Sequence, residues 1–202
     1  MAMKHIDGRT ARRGDTREAV FEAALGLFAE KSVSATSVDD IAATAKVAKG
    51  SIYYNFGSKS GLVDALLSYY LEDMRDHLAA AIGDLYGWKA ISAMITEMLG
   101  AIRDREKTAK LLASEFFRTD RSWYDTTRKW HRNISLLIEE ALIEGQKRNE
   151  VDPTLDPSIA ANSVLGATLM AGLAWRIHSK ERPLEEIAAS IRAVVIVGRD
   201  QD

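Results

Sequence analysis

The sequence predicts an all-α fold of about nine helices. Two observations carry this. Apolar residues recur at three- and four-residue steps through most of the chain, and no stretch shows the strict alternation of a half-buried strand. The 202 residues include only 3 prolines, too few for a loop-rich β architecture. The apolar share of 47% and charged share of 28% are those of a globular chain with a sizeable core.

The elements follow in order. Residues 1–15 lack periodicity and carry Lys4, Arg9, Arg12 and Arg13, which predicts a flexible basic arm. From Thr16, an apolar face of Val20, Phe21, Ala24, Leu25 and Phe28 marks a helix ending near Lys31. Ser37 with Asp40 three residues on is a capping-box start for a short helix lined by Val38, Ile41, Ala42 and Ala45. A break at 46–48 precedes a second short helix, 49–56. Ser58 then caps a long helix reaching about Ile82. Amphipathic segments at 88–103, 107–118 and 123–147 continue the pattern. Asp156 and Pro157 supply an N-cap and first-turn proline for a helix to about Ser179, and Pro183 opens the last one, with Gly198 as its stop. The predicted domains are the arm at 1–15, a head at 16–57 and a body at 58–202, joined by the connecting helix 58–82.

Charge first argues against nucleic acid, because the net value is −2. Residues 1–60, however, hold five Lys and four Arg against seven acids, and the acidic surplus lies downstream. Cysteine is absent, which excludes disulfides, thiol nucleophiles and thiolate metal sites. The N-terminus has no apolar h-region, so a cytoplasmic protein is expected. Residues 157–175 are uncharged and approach the length of a membrane span. Their Asn, Ser, Thr, Gly and Ala content reads better as a helix buried in protein, with no membrane partner.

Helices 38–45 and 49–56, joined by three residues, have helix-turn-helix spacing. The second presents donors and aromatic edges at Lys49, Ser51, Tyr53, Tyr54 and Asn55, while Ile52 and Phe56 point inward. Such a helix fits a DNA major groove. Lys49, Ser51 and Tyr54 are the expected base readers, and Gly50 permits close approach. Thr36 and Ser37 at a helix N-terminus, with Lys46 and Lys59, are the expected phosphate contacts.

The segment from Thr16 to Leu66 resembles the DNA-binding domain of TetR-type transcriptional regulators. The resemblance rests on Ala48-Lys49-Gly50-Ser51-Ile52-Tyr53-Tyr54-Asn55-Phe56, Gly57-Ser58-Lys59 and Leu62, with Ala35-Thr36-Ser37-Val38 and Asp40-Ile41-Ala42 upstream. Ser32 and Lys46 stand where the family often has glycine, Ala48 where it has serine and Asn55 where it has histidine. The resemblance implies a homodimer on a pseudo-palindromic double-stranded operator, usually a repressor. It also implies a small-molecule effector in the body that moves the long fourth helix and changes the half-site spacing.

In the body, small residues Ala160, Ser163, Ala167, Ala171 and Gly172, with Ile187, Ile191, Val194 and Val195 of the last helix, are the expected dimer interface. Met94, Met98, Phe116, Phe117, Trp123, Trp130, His131 and Trp175 are the expected lining of a pocket for a small, mainly hydrophobic ligand. Enzyme signatures are missing: there is no Glu-x-x-His pair, zinc motif, phosphate loop or nucleophile elbow, and the four histidines are scattered. No enzyme, cofactor or metal is therefore expected. A ligand-independent DNA-binding adaptor and an all-helical ligand-binding enzyme are the competing readings.

Overall fold

In the computed structural model, backbone is described for residues 8–116 and 118–196, and side chains for 16–115 and 118–196. Nine helices and no strand occur among these residues: α1 (Gly8–Ala35), α2 (Val38–Ala45), α3 (Lys49–Phe56), α4 (Lys59–Ile82), α5 (Gly87–Asp104), α6 (Glu106–Phe116), α7 (Tyr124–Lys147), α8 (Pro157–His178) and α9 (Leu184–Val195). The predicted caps hold. Ser58 Oγ accepts from Gly61 N at 3.0 Å, and Asp156 Oδ1 accepts from Ser158 N and Ile159 N.

One predicted boundary changes. The basic segment is helical from Gly8, and residues 1–7 of the expected arm lie outside the described residues. Arg and Ala at 9–13 are good helix formers and extend a helix whose apolar face starts downstream, without supplying periodicity of their own. The predicted end near Lys31 corresponds to a break inside α1. There Ser32 adopts φ 75°, ψ 161°, a conformation normally reserved for glycine.

Two cores organise the packing. The head core joins Val20, Ala24 and Phe28 of α1, Ile41 of α2, Ile52 of α3 and Leu62, Val63, Leu66 and Leu67 of α4. Ile41, Ile52 and Leu62 are fully buried, each worth about 1.5–3 kcal/mol of apolar burial. Leu111 and Trp123 from the body close this core. The second core surrounds α5, whose Ile91, Met94, Ile95 and Leu99 meet Leu78 of α4, Ile134 and Ile138 of α7, Val164 and Leu165 of α8 and Ile187 and Ile191 of α9. Trp130 of α7 packs against both cores and donates its indole N–H to Leu71 O in the middle of α4 at 3.0 Å. α4 thus runs from one core into the other, with α7 braced across the junction.

Candidate nucleic-acid interface

The helix-turn-helix is set by local chemistry. Ser37 Oγ accepts from Asp40 N (3.0 Å), and Asp40 Oδ2 accepts from Ser37 N (3.1 Å), closing a capping box at the start of α2. These bonds, with Lys31 Nζ at 3.3 Å, hold the Asp40 carboxyl below its ordinary value. α2 ends on Lys46 in the left-handed region (φ 56°, ψ 40°), with Val47 N donating to Ala42 O at 3.0 Å and Lys46 N to Ala43 O at 3.3 Å. That reversal turns the chain into α3. Ile52 anchors α3 in the head core, and the Phe56 ring lies 5.6 Å from Phe21. The Arg17 guanidinium sits over both rings, at 5.1 and 5.6 Å.

The opposite face of α3 is open. Lys49, Gly50, Tyr53, Tyr54 and Asn55 are exposed, Tyr54 at 76%, and nothing lies near Gly50. Ser51 is half-buried, and its carbonyl accepts from Asn55 Nδ2 at 2.7 Å. Lys46 is exposed at the turn. Lys59 Nζ lies 3.4 Å from Ser34 O, which ties the start of α4 to the last turn of α1. One expected contact is displaced: Thr36 is 1% exposed and donates its hydroxyl to Ser32 O at 2.8 Å. Its side chain satisfies the carbonyl of the strained residue and does not face a groove. Gly61 was missed. A Cβ there would stand 2.1 Å from Phe56 O, so glycine is what lets α3 abut α4. Position alone does not announce this, since Gly61 reads as an ordinary first-turn residue.

In the body, the expected ligand residues are dispersed. Met94 is sealed in the second core, and Met98 borders a cleft of about 570 Å³ between α4, α5 and the start of α9, with Met74, His77, Arg103, Arg105 and Leu184. Trp123 belongs to the head core and donates its N–H to the buried Glu115 at 3.2 Å. Trp175 lines a groove between α8 and α9 and donates to Arg182 O at 3.1 Å. Trp130 lies at the core junction, and His131 beside it is half-buried. The Phe116 side chain and Phe117 lie outside the described residues. Aromatic spacing marks burial equally in a core and in a pocket, which is why it did not separate these sites.

The expected dimer residues divide. Gly172 faces its own chain, where a Cβ would meet Ile102 Cδ1 at 2.6 Å and Leu99 Cδ2 at 3.0 Å, and Ile187 and Ile191 are buried in the second core. Ala160, Ala167, Ala171 and Val195 are half-buried, while Ser163 and Val194 are exposed. Helical periodicity located the faces but not which one meets the chain's own α5. The outward stripe of α8 is Ile159, Ser163, Gly166, Met170, Ala174 and Ile177, with Met170 64% exposed. α8 is long and apolar enough to cross a membrane, with mean hydropathy 1.3, yet its other face packs on α5, α7 and α9.

The family profile of bacterial regulatory proteins of the TetR type matches residues 20–66, from the buried face of α1 into α4. Residues 20–66 thus carry the TetR-type signature. The HTH-type transcriptional repressor KstR2 of Rhodococcus jostii is 24% identical over 199 residues, covering 94% of this chain and 93% of the relative. The regulator TtgR of Pseudomonas putida is 43% identical over 67 residues, 33% of this chain and 31% of its own length. Among solved structures, the regulator FadR of Bacillus subtilis, in complex with stearoyl-CoA, superposes with TM-score 0.81 at 18% identity, covering 90% of this chain and 98% of that one. AibR, in complex with isovaleryl coenzyme A and operator DNA, gives 0.74 at 18% identity, with 88% and 97% covered. The fold is therefore shared over about nine-tenths of the chain, while sequence likeness to TtgR is confined to about a third of it.

Proposed function

We propose that this protein is a dimeric repressor that binds a palindromic operator through α3 and is released by a small molecule carrying an apolar group. The observation that carries the reading is the outer face of α3: donors and aromatic edges on an exposed, eight-residue helix, fixed from behind by Ile52 and Phe56. Lys49, Ser51 and Tyr54 read base edges, Lys46 and Ser37 take phosphates, and Tyr53, Asn55 and Lys59 flank them. The outward apolar stripe of α8, with Val194 of α9, supports pairing with a second copy, since four such helices bury one another's apolar faces. The pair sets the two α3 helices on successive major grooves, roughly 34–36 Å apart.

For the effector, the stearoyl-CoA and isovaleryl coenzyme A held by the structural neighbours support a coenzyme A thioester. The cleft beside Met98 offers Met74 and Leu184 to an acyl chain, and at its edge Arg103 and Arg105, paired with Asp104 and Asp73, would have to exchange those carboxylates for phosphates. Its size is within the range of small-molecule sites.

The deciding experiment is selection of bound sequences from random DNA by the full-length chain, followed by titration with acyl-CoA esters of increasing chain length. Enrichment of a palindrome, and its release by one length class, is the expected result. Failure to enrich any sequence overturns the DNA reading; a palindrome indifferent to every ester overturns only the effector class.

A further inference from the structure

Across the head and the start of α4, charge balances to zero. Between residues 16 and 60, Arg17, Lys31, Lys46, Lys49 and Lys59 face Glu18, Glu22, Glu30, Asp39 and Asp40. The acids of the first turn of α2 are also placed against lysines. Asp40 takes Lys31 at 3.3 Å, and Asp39 takes Lys49 Nζ at 2.9 Å. The second pair crosses the helix-turn-helix, from the first turn of α2 to the first residue of α3, and both side chains are open to solvent.

We propose that Asp39 is a specificity-determining residue, which holds Lys49 for base edges and withholds it from phosphates. The proposal rests on the assignment of Lys49 to the DNA surface. An ammonium has three donors. With one spent on Asp39, the others remain free for acceptors such as guanine O6 and N7. A phosphate, by contrast, gains little from a lysine whose charge is already balanced. The carboxylate also repels any backbone that approaches in the wrong register. Non-specific attraction, which comes almost wholly from counterion release, is therefore reduced while the operator contact is kept. The pair spans ten residues, so sequence order did not place Asp39 at the recognition surface.

The test measures affinity by fluorescence anisotropy from about 50 to about 200 mM salt. The probes are the duplex selected from random DNA and a scrambled duplex of equal composition. Asp39→Asn, with Asp39→Ser as a second variant, is compared in the native background and in Lys49→Met, and thermal melts confirm folding. Asp39→Asn is expected to tighten binding to the scrambled duplex roughly three- to tenfold at low salt. The slope of log affinity against log salt should steepen by about one, and the specificity ratio should fall. Neither change should occur in Lys49→Met. Equal slopes and an unchanged ratio overturn the proposal, as does the same steepening in Lys49→Met, which would make Asp39 a diffuse charge and not a holder of Lys49. If Lys49→Met leaves binding to the selected duplex unaltered, the assignment of Lys49 falls, and the proposal with it. If Lys49→Met weakens binding but Asp39→Asn does nothing, the proposal alone falls.

Discussion

Ser32 and Lys46 occupy positive φ without being glycine, at 75° and 56°. They flank α2, one before its cap and one after its last turn. An L-residue in such a conformation costs about 1–3 kcal/mol, offset in part by the lower entropy it loses on folding relative to glycine. Ser32→Gly should therefore raise stability by about 1 kcal/mol in denaturant unfolding, with DNA binding unchanged. Lys46→Gly should stabilise similarly but, if the proposed phosphate contact is made, weaken operator and scrambled DNA by one common factor. Asp40 gives a pH prediction. Ser37 lowers its folded pKa below the ordinary 3.8, so its contribution is present above that value and lost as pH falls through the depressed one. Acid unfolding of the native chain should thus be steeper below about pH 4 than that of Asp40→Asn.

The helices themselves show where sequence is sufficient. α2, α4 and α8 begin where Ser37, Ser58 and Asp156 predict, because capping is a contact between residues two or three apart. The lower end of α1 was missed because arginines and alanines can extend a helix without an apolar period. The junction of α3 with α4 was missed because it depends on a carbonyl brought in by folding. Gly61→Ala places a methyl 2.1 Å from Phe56 O, and overpacking of this kind costs about 1–3 kcal/mol. The variant should melt lower and lose operator affinity beyond what its fraction folded explains, since α3 must tilt away from α4. Equal affinity for the folded fraction would separate α3 orientation from this contact.

For the whole molecule, the unsolved question in the sequence was which apolar face belongs inside. α8 is apolar on both sides, and only packing shows that Gly172 seats α5 while Ile159, Met170 and Ile177 are left outward. Small residues suggested close helix approach, and at Gly172 that approach is made within the chain, against α5. Met170→Glu should leave the fold intact and shift sedimentation from dimer to monomer; a persisting dimer would place the interface elsewhere. Ligand residues were the least legible, because an aromatic side chain satisfies the same spacing in either core, at their junction or along a groove.

Three indoles stand at three different joints. Trp123 reports on the loop that closes the head core, Trp130 on the junction along α4 and Trp175 on the α8–α9 groove, each with its N–H engaged at 3.0–3.2 Å. With Trp88 replaced by Phe, the chain becomes its own optical instrument. Single-tryptophan variants would give separate emission signals for the head core, the α4 junction and the α8–α9 groove as DNA or an acyl-CoA ester is added. The order in which those signals appear would show which joint responds first.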